Sequence, residues 1–302
     1  MTKLIECVPN FSEGRDARVI GALVKTAESA PGVSLLDYSS DPNHNRSVFT
    51  LLGSPDCVAE AAFMLCRTAR DTIDMNVHSG GHPRMGSADV VPFVPVRGAE
   101  IDECVDISVK VAERVYAELG IPCFLYEESR TRENRRNLAD IRRGGFEGMP
   151  GKLLIEEWAP DFGGRKIHPT AGVTAVGARF PLVAFNVNLN TPDLKVAKKI
   201  AKTVRASDGG FPYCKAIGVM LGDKGIAQVS MNMVNTDATP LWLAFNAVTA
   251  EAARYGVTVA GSEIVGLAPA KALADCAGHY LKMENYDYGR LALENRVLEY
   301  LD

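Results

Sequence analysis

The sequence predicts an α/β protein made of two ferredoxin-like subdomains packed side by side, with a ligand crevice between them. Short apolar runs typical of strands alternate with amphipathic segments of helical periodicity along the chain. The second half has the order βαββαβ, which is the split βαβ unit, and the first half shows this order up to Val96 before further elements follow. We place the boundary in "GARFPL", which predicts an N-terminal subdomain of residues 1–179 and a C-terminal one of 180–302.

The elements of the first half are delimited mainly by proline and glycine. The run 3–11 predicts a strand that ends at Pro9 and Asn10, and the periodic segment 15–30 predicts a helix that ends before Pro31. Ser54 and Pro55 are typical of a helix start, and that helix extends to about Ile73. The remaining predicted strands are 33–39, 46–53, 89–96, 121–127 and 172–178, and the remaining predicted helices are 99–120 and a solvated one over 132–144.

The second half repeats the opening order without a residue-level repeat. Strand 181–189 and helix 192–207 are followed by a hairpin of strands 215–222 and 226–234 around Asp223-Lys224-Gly225. Helix 239–256 and strand 257–266 complete the unit, and two short helices are expected after it. Sites tend to form in the crevice between two such halves.

Composition excludes several classes of function. The formal charge of −4 argues against nucleic-acid partners, which usually need a basic surface. Seven cysteines, an odd number without a CxxC pair, predict reduced thiols in a cytoplasmic protein. The N-terminus lacks the apolar core of a signal peptide, and no apolar stretch reaches membrane-spanning length. We therefore expect no membrane partner.

The segment "HSGGHPRMGSADVVPF", His78 to Phe93, is the first candidate site. Two histidines four apart suit a zinc site only on a helix, and the glycines and Pro83 disfavour a helix here, so we expect no metal. Glycines let the backbone approach a ligand closely. His82 beside the anion-binding fork of Arg84 therefore suggests a general base, although a merely structural loop is the alternative.

A second candidate, "DYSSDPNHNR", lies between two predicted strands. Its Asp-Pro-Asn is typical of a plain turn, which remains an open alternative. The functional interpretation is that a carboxylate orients the catalytic imidazole and that Arg46 clamps a substrate carboxylate in bidentate fashion. The polar side chains of this set are Asp37, Asp41, His44, Asn45 and Arg46.

Two further loops carry polar residues. "APDFGGRKIHPTAG", 159–172, joins Arg165, Lys166 and His168 to a glycine-rich stretch, which suits either a connection or a loop that covers an anionic ligand. It lacks GxxxxGK[ST], and no GxGxxG follows a strand, so nucleotide binding is unsupported. In "ECVPNFSEG", Asn10 either faces the crevice or precedes a capped helix start.

These segments resemble the formiminotransferase domain of the formiminotransferase-cyclodeaminase family. The stretches are "ECVPNFSEGR", "HSGGHPRMGSADVVPFVPV", "PDFGG…HPTAGVTAVGAR" and "LVAFNVNL", with "SEIVGLAPAKAL" later. The resemblance covers nearly the whole chain and lacks the cyclodeaminase half, as in stand-alone bacterial forms. It implies two ferredoxin-like subdomains, a homodimer, and transfer of a formimino group from N-formimino-L-glutamate to N5 of tetrahydrofolate, the co-substrate, in histidine degradation.

The resemblance also implies roles for residues. His82 matches the catalytic base, and residues 161–170 match the folate-binding region. This sequence departs from many relatives here, because they place an acidic residue closer to "LLD" than Asp41. We choose Asp41 as the partner of His82, with Asp37 second. The expected folate-binding residues are Asn10, Asp161, Phe162, Gly163, Gly164, Arg165, Lys166 and His168, and the expected substrate-binding residues are His44, Asn45, Arg46 and Arg84.

Two rival functions stay open at this point. The same fold could use another donor, such as formiminoglycine or N-formylglutamate, because one sequence does not reveal the donor pocket. A folate-binding protein without catalysis is the second, and the presence of His82, Arg84 and Asp89 argues against it. For the catalytic reading we expect an imidazole whose pKa lies near neutral, able to accept and return one proton.

Overall fold

The computed structural model describes residues 3–42, 44–222 and 224–301. The chain divides into two compact units, Met1–Arg179 and Phe180–Asp302. Each unit combines a β-sheet with helices and buries its own hydrophobic clusters. The prediction of a two-part α/β fold is therefore confirmed. No helix within the described ranges is long and apolar enough to cross a membrane.

The first unit is built on a mixed, seven-stranded sheet. Its first strand is broken at Pro9 into β1 and β2, and both pieces pair antiparallel with β4 and β5. β3 pairs with β4 on one side, and β7 and β6 extend the sheet beyond β5 through parallel pairing. The strands are β1 (Leu4–Cys7), β2 (Asn10–Phe11), β3 (Val33–Asp41), β4 (Arg46–Gly53), β5 (Ala88–Arg97), β6 (Cys123–Glu127) and β7 (Thr174–Ala178).

The helices of the first unit begin and end at local capping signals, of which Pro55 was predicted. The Asp16 side chain accepts a hydrogen bond from the first turn of α1, Pro55 opens α2, and Glu100 with Glu103 forms a capping box on α3. Gly120, with φ of 70°, ends α3 in the left-handed conformation that glycine tolerates. The helices are α1 (Ala17–Glu28), α2 (Pro55–Thr72), α3 (Ile101–Leu119), α4 (Leu138–Arg142) and α5 (Gly145–Lys152).

The second unit has the element order βαββαβ and an antiparallel sheet in the order β11-β8-β10-β9. Three helices follow it instead of the two expected, because the segment after α8 is interrupted twice. Asp223, predicted in the hairpin turn, lies outside the described residues. The elements are β8 (Val183–Leu189), α6 (Leu194–Val204), β9 (Cys214–Leu221), β10 (Ile226–Met233), α7 (Leu241–Arg254), β11 (Val259–Val265), α8 (Ala270–Tyr280), α9 (Tyr288–Leu291) and α10 (Leu293–Leu301).

The prediction of a solvated helix over 132–144 is wrong. A 3-10 turn at Glu133–Arg135 and the short α4 replace it. Arg135 is fully buried, ion-pairs with Asp161 and lies over the ring of Phe124 at 5.3 Å. The prediction failed because the sequence does not show the partners of Arg135. A dense basic run is typical of an exposed helix unless its charges are paired inside the protein.

Candidate active site

His82 lies in the irregular segment between α2 and β5, in the first unit. Its Nδ1 is 2.6 Å from the carbonyl oxygen of Pro83. A carbonyl oxygen can only accept, so Nδ1 carries the proton and Nε2 keeps its lone pair. None of the hydrogen bonds found in the described part of the chain uses Nε2. The ring is therefore held in the tautomer that a base needs.

Arg46, the first residue of β4, connects His82 to two polar side chains. Its Nη1 lies 3.3 Å from His82 Nδ1 and donates to Asp89 Oδ2 at 2.7 Å. Its Nε and Nη2 donate to Asn10 Oδ1 at 3.1 and 2.8 Å. Since Nδ1 already donates to Pro83, the approach of Arg46 is a charge contact. Pairing of β4 with β2 and of β2 with β5 brings these residues together.

Asp89 is the carboxylate of this cluster, and it is completely buried on β5. Its Oδ1 accepts from the backbone N–H of Met85 at 2.9 Å. Its Oδ2 accepts from Arg46 and, at 2.5 Å, from Nη2 of Arg142 on α4. Burial acts to raise the pKa of Asp89, but Arg142 and Arg46 together bring it below its usual value. The group is therefore a buried carboxylate between two guanidinium groups.

The pKa of His82 is lowered to about 3 in the structure. Burial is the main cause, followed by the positive charges of Arg46 and Arg142, while Asp89 acts in the opposite direction. The expectation of a near-neutral pKa is therefore wrong for the protein without substrates. The same shift keeps the imidazole neutral at physiological pH, with its lone pair free, but lowers its affinity for a proton.

A network of backbone contacts fixes the segment that carries His82. His78 Nε2 donates to the carbonyl oxygen of Asn45 at 2.9 Å, and Asn45 Nδ2 donates to that of Ser79 at 2.9 Å. Asn45 Oδ1 accepts from the N–H of Gly14 at 2.8 Å. Asn45 is buried and has φ of 50°, a conformation that asparagine adopts more readily than most residues. Its side chain is thus used to hold the loop, not exposed for a substrate as we expected.

Arg84, also predicted to bind substrate, is committed elsewhere. Its Nη1 and Nη2 form a bidentate pair with Glu147 at 2.8 and 2.6 Å. Its Nε donates to His78 Nδ1 at 3.2 Å. No local pattern pointed to this partner, because Glu147 lies on α5, far along the chain. The guanidinium therefore stabilises the loop, and substrate binding by Arg84 stays a prediction.

Asp41, the predicted orienting carboxylate, contacts His44. Its Oδ2 lies 2.8 Å from His44 Nδ1, and its Oδ1 accepts the His44 backbone N–H at 3.0 Å. The His44 ring in turn stands edge-to-face to His82, with centroids 5.9 Å apart. The orienting contact on His82 comes from Pro83, which corrects the choice of Asp41. Asp37 lies within β3, as it did in the predicted strand 33–39. The strand continues beyond its predicted end to Asp41.

The loop 159–172 is held mainly by its own neighbourhood. Asp161 accepts from the N–H of Leu125 at 2.7 Å and pairs with Arg135. Arg165 pairs with Glu156, and His168 Nδ1 accepts from the N–H of Ala171 at 3.0 Å. Phe162 pairs through its backbone with Cys123, and Gly163 has φ of 121° against Pro122. Of the predicted folate-binding residues, Gly164, Arg165 and Lys166 are exposed.

The structure thus brings together His82, Arg46 and Asn10 from the predicted set, and it adds two residues. Asp89 stood in the quoted motif, but no contact was predicted for it from the sequence. A charged residue at the start of the apolar strand 89–96 was the signal that could have identified it. Arg142 was placed in a solvated helix, so sequence reasoning missed it. No group of three metal-ligating side chains occurs among residues 3–42, 44–222 and 224–301.

Fold and site together define an α/β protein with a histidine-centred site suited to acid–base chemistry on an anionic ligand. Two family models match the chain: "Formiminotransferase domain, N-terminal subdomain" over residues 4–179 and "Formiminotransferase domain" over residues 184–296. The chain therefore belongs to the formiminotransferase domain family, as the sequence motifs indicated.

Curated relatives agree with this membership. The chain is 62% identical to glutamate formimidoyltransferase of Streptococcus pyogenes serotype M1 over 298 residues, which covers 99% of this chain and 100% of the relative. It is 44% identical to the protein of the same name from Thermoplasma acidophilum, covering 97% of each. Identity to formimidoyltransferase-cyclodeaminase of Sus scrofa is 43%, over 94% of this chain and 54% of that longer protein. The resemblance to stand-alone bacterial forms is confirmed.

Proposed function

We propose that this protein transfers the formimino group of N-formimino-L-glutamate to N5 of tetrahydrofolate, releasing L-glutamate and 5-formiminotetrahydrofolate in histidine degradation. Family membership and the names of the relatives support the reaction. The observation that carries it to particular residues is the neutral His82 imidazole, with Nδ1 fixed on Pro83 and Nε2 available as a base. Tetrahydrofolate acts as a co-substrate, and no metal is required.

The proposed chemistry needs one proton to change places. N5 of tetrahydrofolate attacks the carbon of the protonated formimino group. The C=N electron pair moves onto the imino nitrogen, and a tetrahedral intermediate forms in which N5 carries the positive charge. His82 Nε2 removes the proton from N5. It then delivers that proton to the nitrogen of glutamate as the carbon–nitrogen bond breaks. Proton transfer of this kind contributes about 10²–10⁴ to the rate, and correct positioning of both substrates supplies much of the rest.

Several finer assignments belong to the same proposal. Residues 161–168 contribute to folate binding, with Lys166 as the exposed cation that meets the glutamyl tail. Residues 1–179 and 180–302 act as the two formiminotransferase subdomains, and the limits of the compact units support this division. The family resemblance supports a homodimer, and the free thiols support a cytoplasmic protein. The net charge of −4 supports the absence of nucleic-acid partners, and the lack of a long apolar stretch supports the absence of membrane partners.

The test is a spectroscopic assay of 5-formiminotetrahydrofolate with wild type and His82→Ala. We expect the variant to fold, to bind tetrahydrofolate and to lose about 10²–10⁴ of its turnover. His279→Ala is the matched control, because that imidazole stacks on Trp242 in the second unit and should leave turnover unchanged. Unchanged turnover in His82→Ala would reject the base assignment.

The rival donors are separated in the same assay. Wild type is supplied with N-formimino-L-glutamate, formiminoglycine or N-formyl-L-glutamate at equal concentration. We expect the first to be used best. Preference for either of the others would reassign the donor, and folate binding without transfer from any of them would favour a binding protein.

A further inference from the structure

Arg142 has hydrogen-bonding capacity that the protein leaves unused. A guanidinium carries five N–H donors, and Nη2 of Arg142 uses one of them on Asp89. Its Nε is buried without a partner among the described residues. Buried donors are almost always satisfied, so an orphan next to a candidate base needs an explanation. The side chain is 14% exposed, which leaves it accessible to a small ligand.

The other arginines near His82 use more of their donors. Arg46 uses three, two of them on Asn10 and one on Asp89. Arg84 uses two in its bidentate pair with Glu147 and two on His78. Arg142 is therefore the arginine of the cluster with the most donors left for a ligand.

The charges of the cluster point to an anion. Arg46 and Arg142 contribute two positive charges, and Asp89 contributes one negative charge, so the set carries one net positive charge next to the neutral His82. These groups face His82 from β4, α4 and β5, and the His44 ring, paired with Asp41, faces it from the β3–β4 turn. Uncompensated buried charge is costly, and a bound anion would remove that cost.

We propose that Arg142 receives the α-carboxylate of the donor amino acid, and that this carboxylate completes the proton-accepting site at His82. The inference rests on the proposed function for the identity of the donor. In N-formimino-L-glutamate the formimino nitrogen and the α-carboxylate are attached to the same carbon atom. That carboxylate therefore travels with the reacting nitrogen, whereas the glutamyl carboxylates of folate lie beyond the benzoyl group from N5.

Binding and basicity are coupled by this arrangement. In the protein without substrate, two positive charges oppose protonation of His82. A carboxylate on Arg142 neutralises one of them, and the pKa of His82 then rises towards the range in which a base works best at physiological pH. The donor would thus make the base competent as it binds.

The test is an NMR titration of the His82 imidazole in the full-length protein, alone and saturated with N-acetyl-L-glutamate. This stable compound has the α-carboxylate and a neutral amide in place of the formimino group. We expect the pKa of His82 to rise on binding. 4-Acetamidobutyrate, which keeps the amide and the side-chain carboxylate but lacks the α-carboxylate, should leave it unchanged. A pKa of His82 that stays constant with N-acetyl-L-glutamate, or rises equally with 4-acetamidobutyrate, would overturn the proposal.

Variants of neighbouring arginines sharpen the test. Arg142→Met should raise the pKa of His82 in the free protein and abolish the further rise on binding. The same variant should lower the affinity for N-acetyl-L-glutamate by about 10–100-fold. Arg142→Lys should keep the low pKa but bind weakly, because it retains the charge and loses the fork. Arg143→Met is the control: that side chain is 79% exposed and pairs with Asp140, so both properties should stay at wild-type values.

The outcome is independent of turnover. If Arg142→Met binds N-acetyl-L-glutamate as tightly as wild type, the proposal fails even when transfer is observed. If Arg142→Met does not fold, the titration of the wild-type protein still decides. A ligand-induced rise in a protein that transfers no formimino group would reject the proposed function and leave the carboxylate site intact.

Discussion

Asp89 supplies the negative charge between Arg46 and Arg142 next to His82, and its contacts explain why it is buried without being protonated. It accepts from Met85, Arg46 and Arg142, so both carboxylate oxygens are used. Removing one partner of a buried ion pair is far more costly than the pair is worth, because the other charge is left exposed to a low dielectric. Asp89 thus holds both guanidinium groups beside the imidazole.

Asp89→Asn should therefore destabilise the protein by about 3–5 kcal/mol in urea unfolding. The exposed carboxylate of Asp140, which pairs with Arg143, supplies the control: Asp140→Asn should change the free energy of unfolding by less than about 0.5 kcal/mol. Equal effects of the two substitutions would contradict the description of Asp89 as the buried counter-ion.

The low pKa of His82 makes stability depend on pH. The pKa is about 3 in the folded protein against an ordinary value of 6.5. Between these values the unfolded chain binds a proton that the native state excludes, so the free energy of unfolding falls as the pH is lowered through this window. Above pH 6.5 the effect is absent.

His82→Gln should remove this pH dependence of the free energy of unfolding. The stability of the variant relative to wild type should increase on going from pH 7 to pH 5, by at most about 1.4 kcal/mol per pH unit. Urea unfolding at the two pH values measures it. A difference that is the same at both would show that the native imidazole titrates normally.

At the scale of elements, the segment His78–His82 is shaped by the β3–β4 turn that it touches. A Cβ added at Gly80 would lie 2.2 Å from the carbonyl oxygen of His44 and 2.9 Å from Cβ of Asn45. Glycine is thus required here for close approach of two backbones. The same approach is what aligns His82 with Arg46.

Gly80→Ala should displace the segment and lower turnover by about 10–100-fold, since small misplacements of a catalytic group are costly. Gly21→Ala is the control, because nothing lies within 4 Å of the added Cβ in α1 and alanine favours helix by about 0.5–1 kcal/mol. Full transferase activity in Gly80→Ala would mean that the contact does not position His82.

The sequence predicted the elements better than their contacts. Helix and strand positions follow from local signals; Pro55 was recognised as one of them, whereas the capping roles of Asp16 and Gly120 were not. The pairs Arg84–Glu147 and Arg135–Asp161 join residues 63 and 26 positions apart, and no local pattern encodes such partners. For the same reason His82 was found from its motif, whereas Arg142 was not.

At the scale of the whole molecule, each unit has a complete interior. The buried hydrophobic clusters that include Phe93 and Phe124 belong to the first unit, and the one that includes Phe185 belongs to the second. All the charged groups named around His82 also lie in the first unit. The proton affinity of His82 is therefore a property of residues 1–179.

Residues 1–179 expressed alone should fold cooperatively and retain a His82 pKa far below 6.5, because burial and both arginines are local. Thermal unfolding followed by circular dichroism and an NMR titration provide the measurements, with the full-length protein as reference. A fragment that folds but titrates near 6.5 would show that the environment of His82 needs the second unit.

His82 Nδ1 donates a hydrogen bond to the carbonyl oxygen of the next residue, Pro83. Nε2 is therefore the ring nitrogen that is left to exchange a proton. In many relays a proton enters one ring nitrogen and leaves by the other, which links the reaction to bulk water. Here the proton that arrives at Nε2 has to depart from Nε2. If His82 acts as proposed, the proton taken from N5 of the pterin is the one given to the glutamate nitrogen, and bulk water takes no part in the transfer.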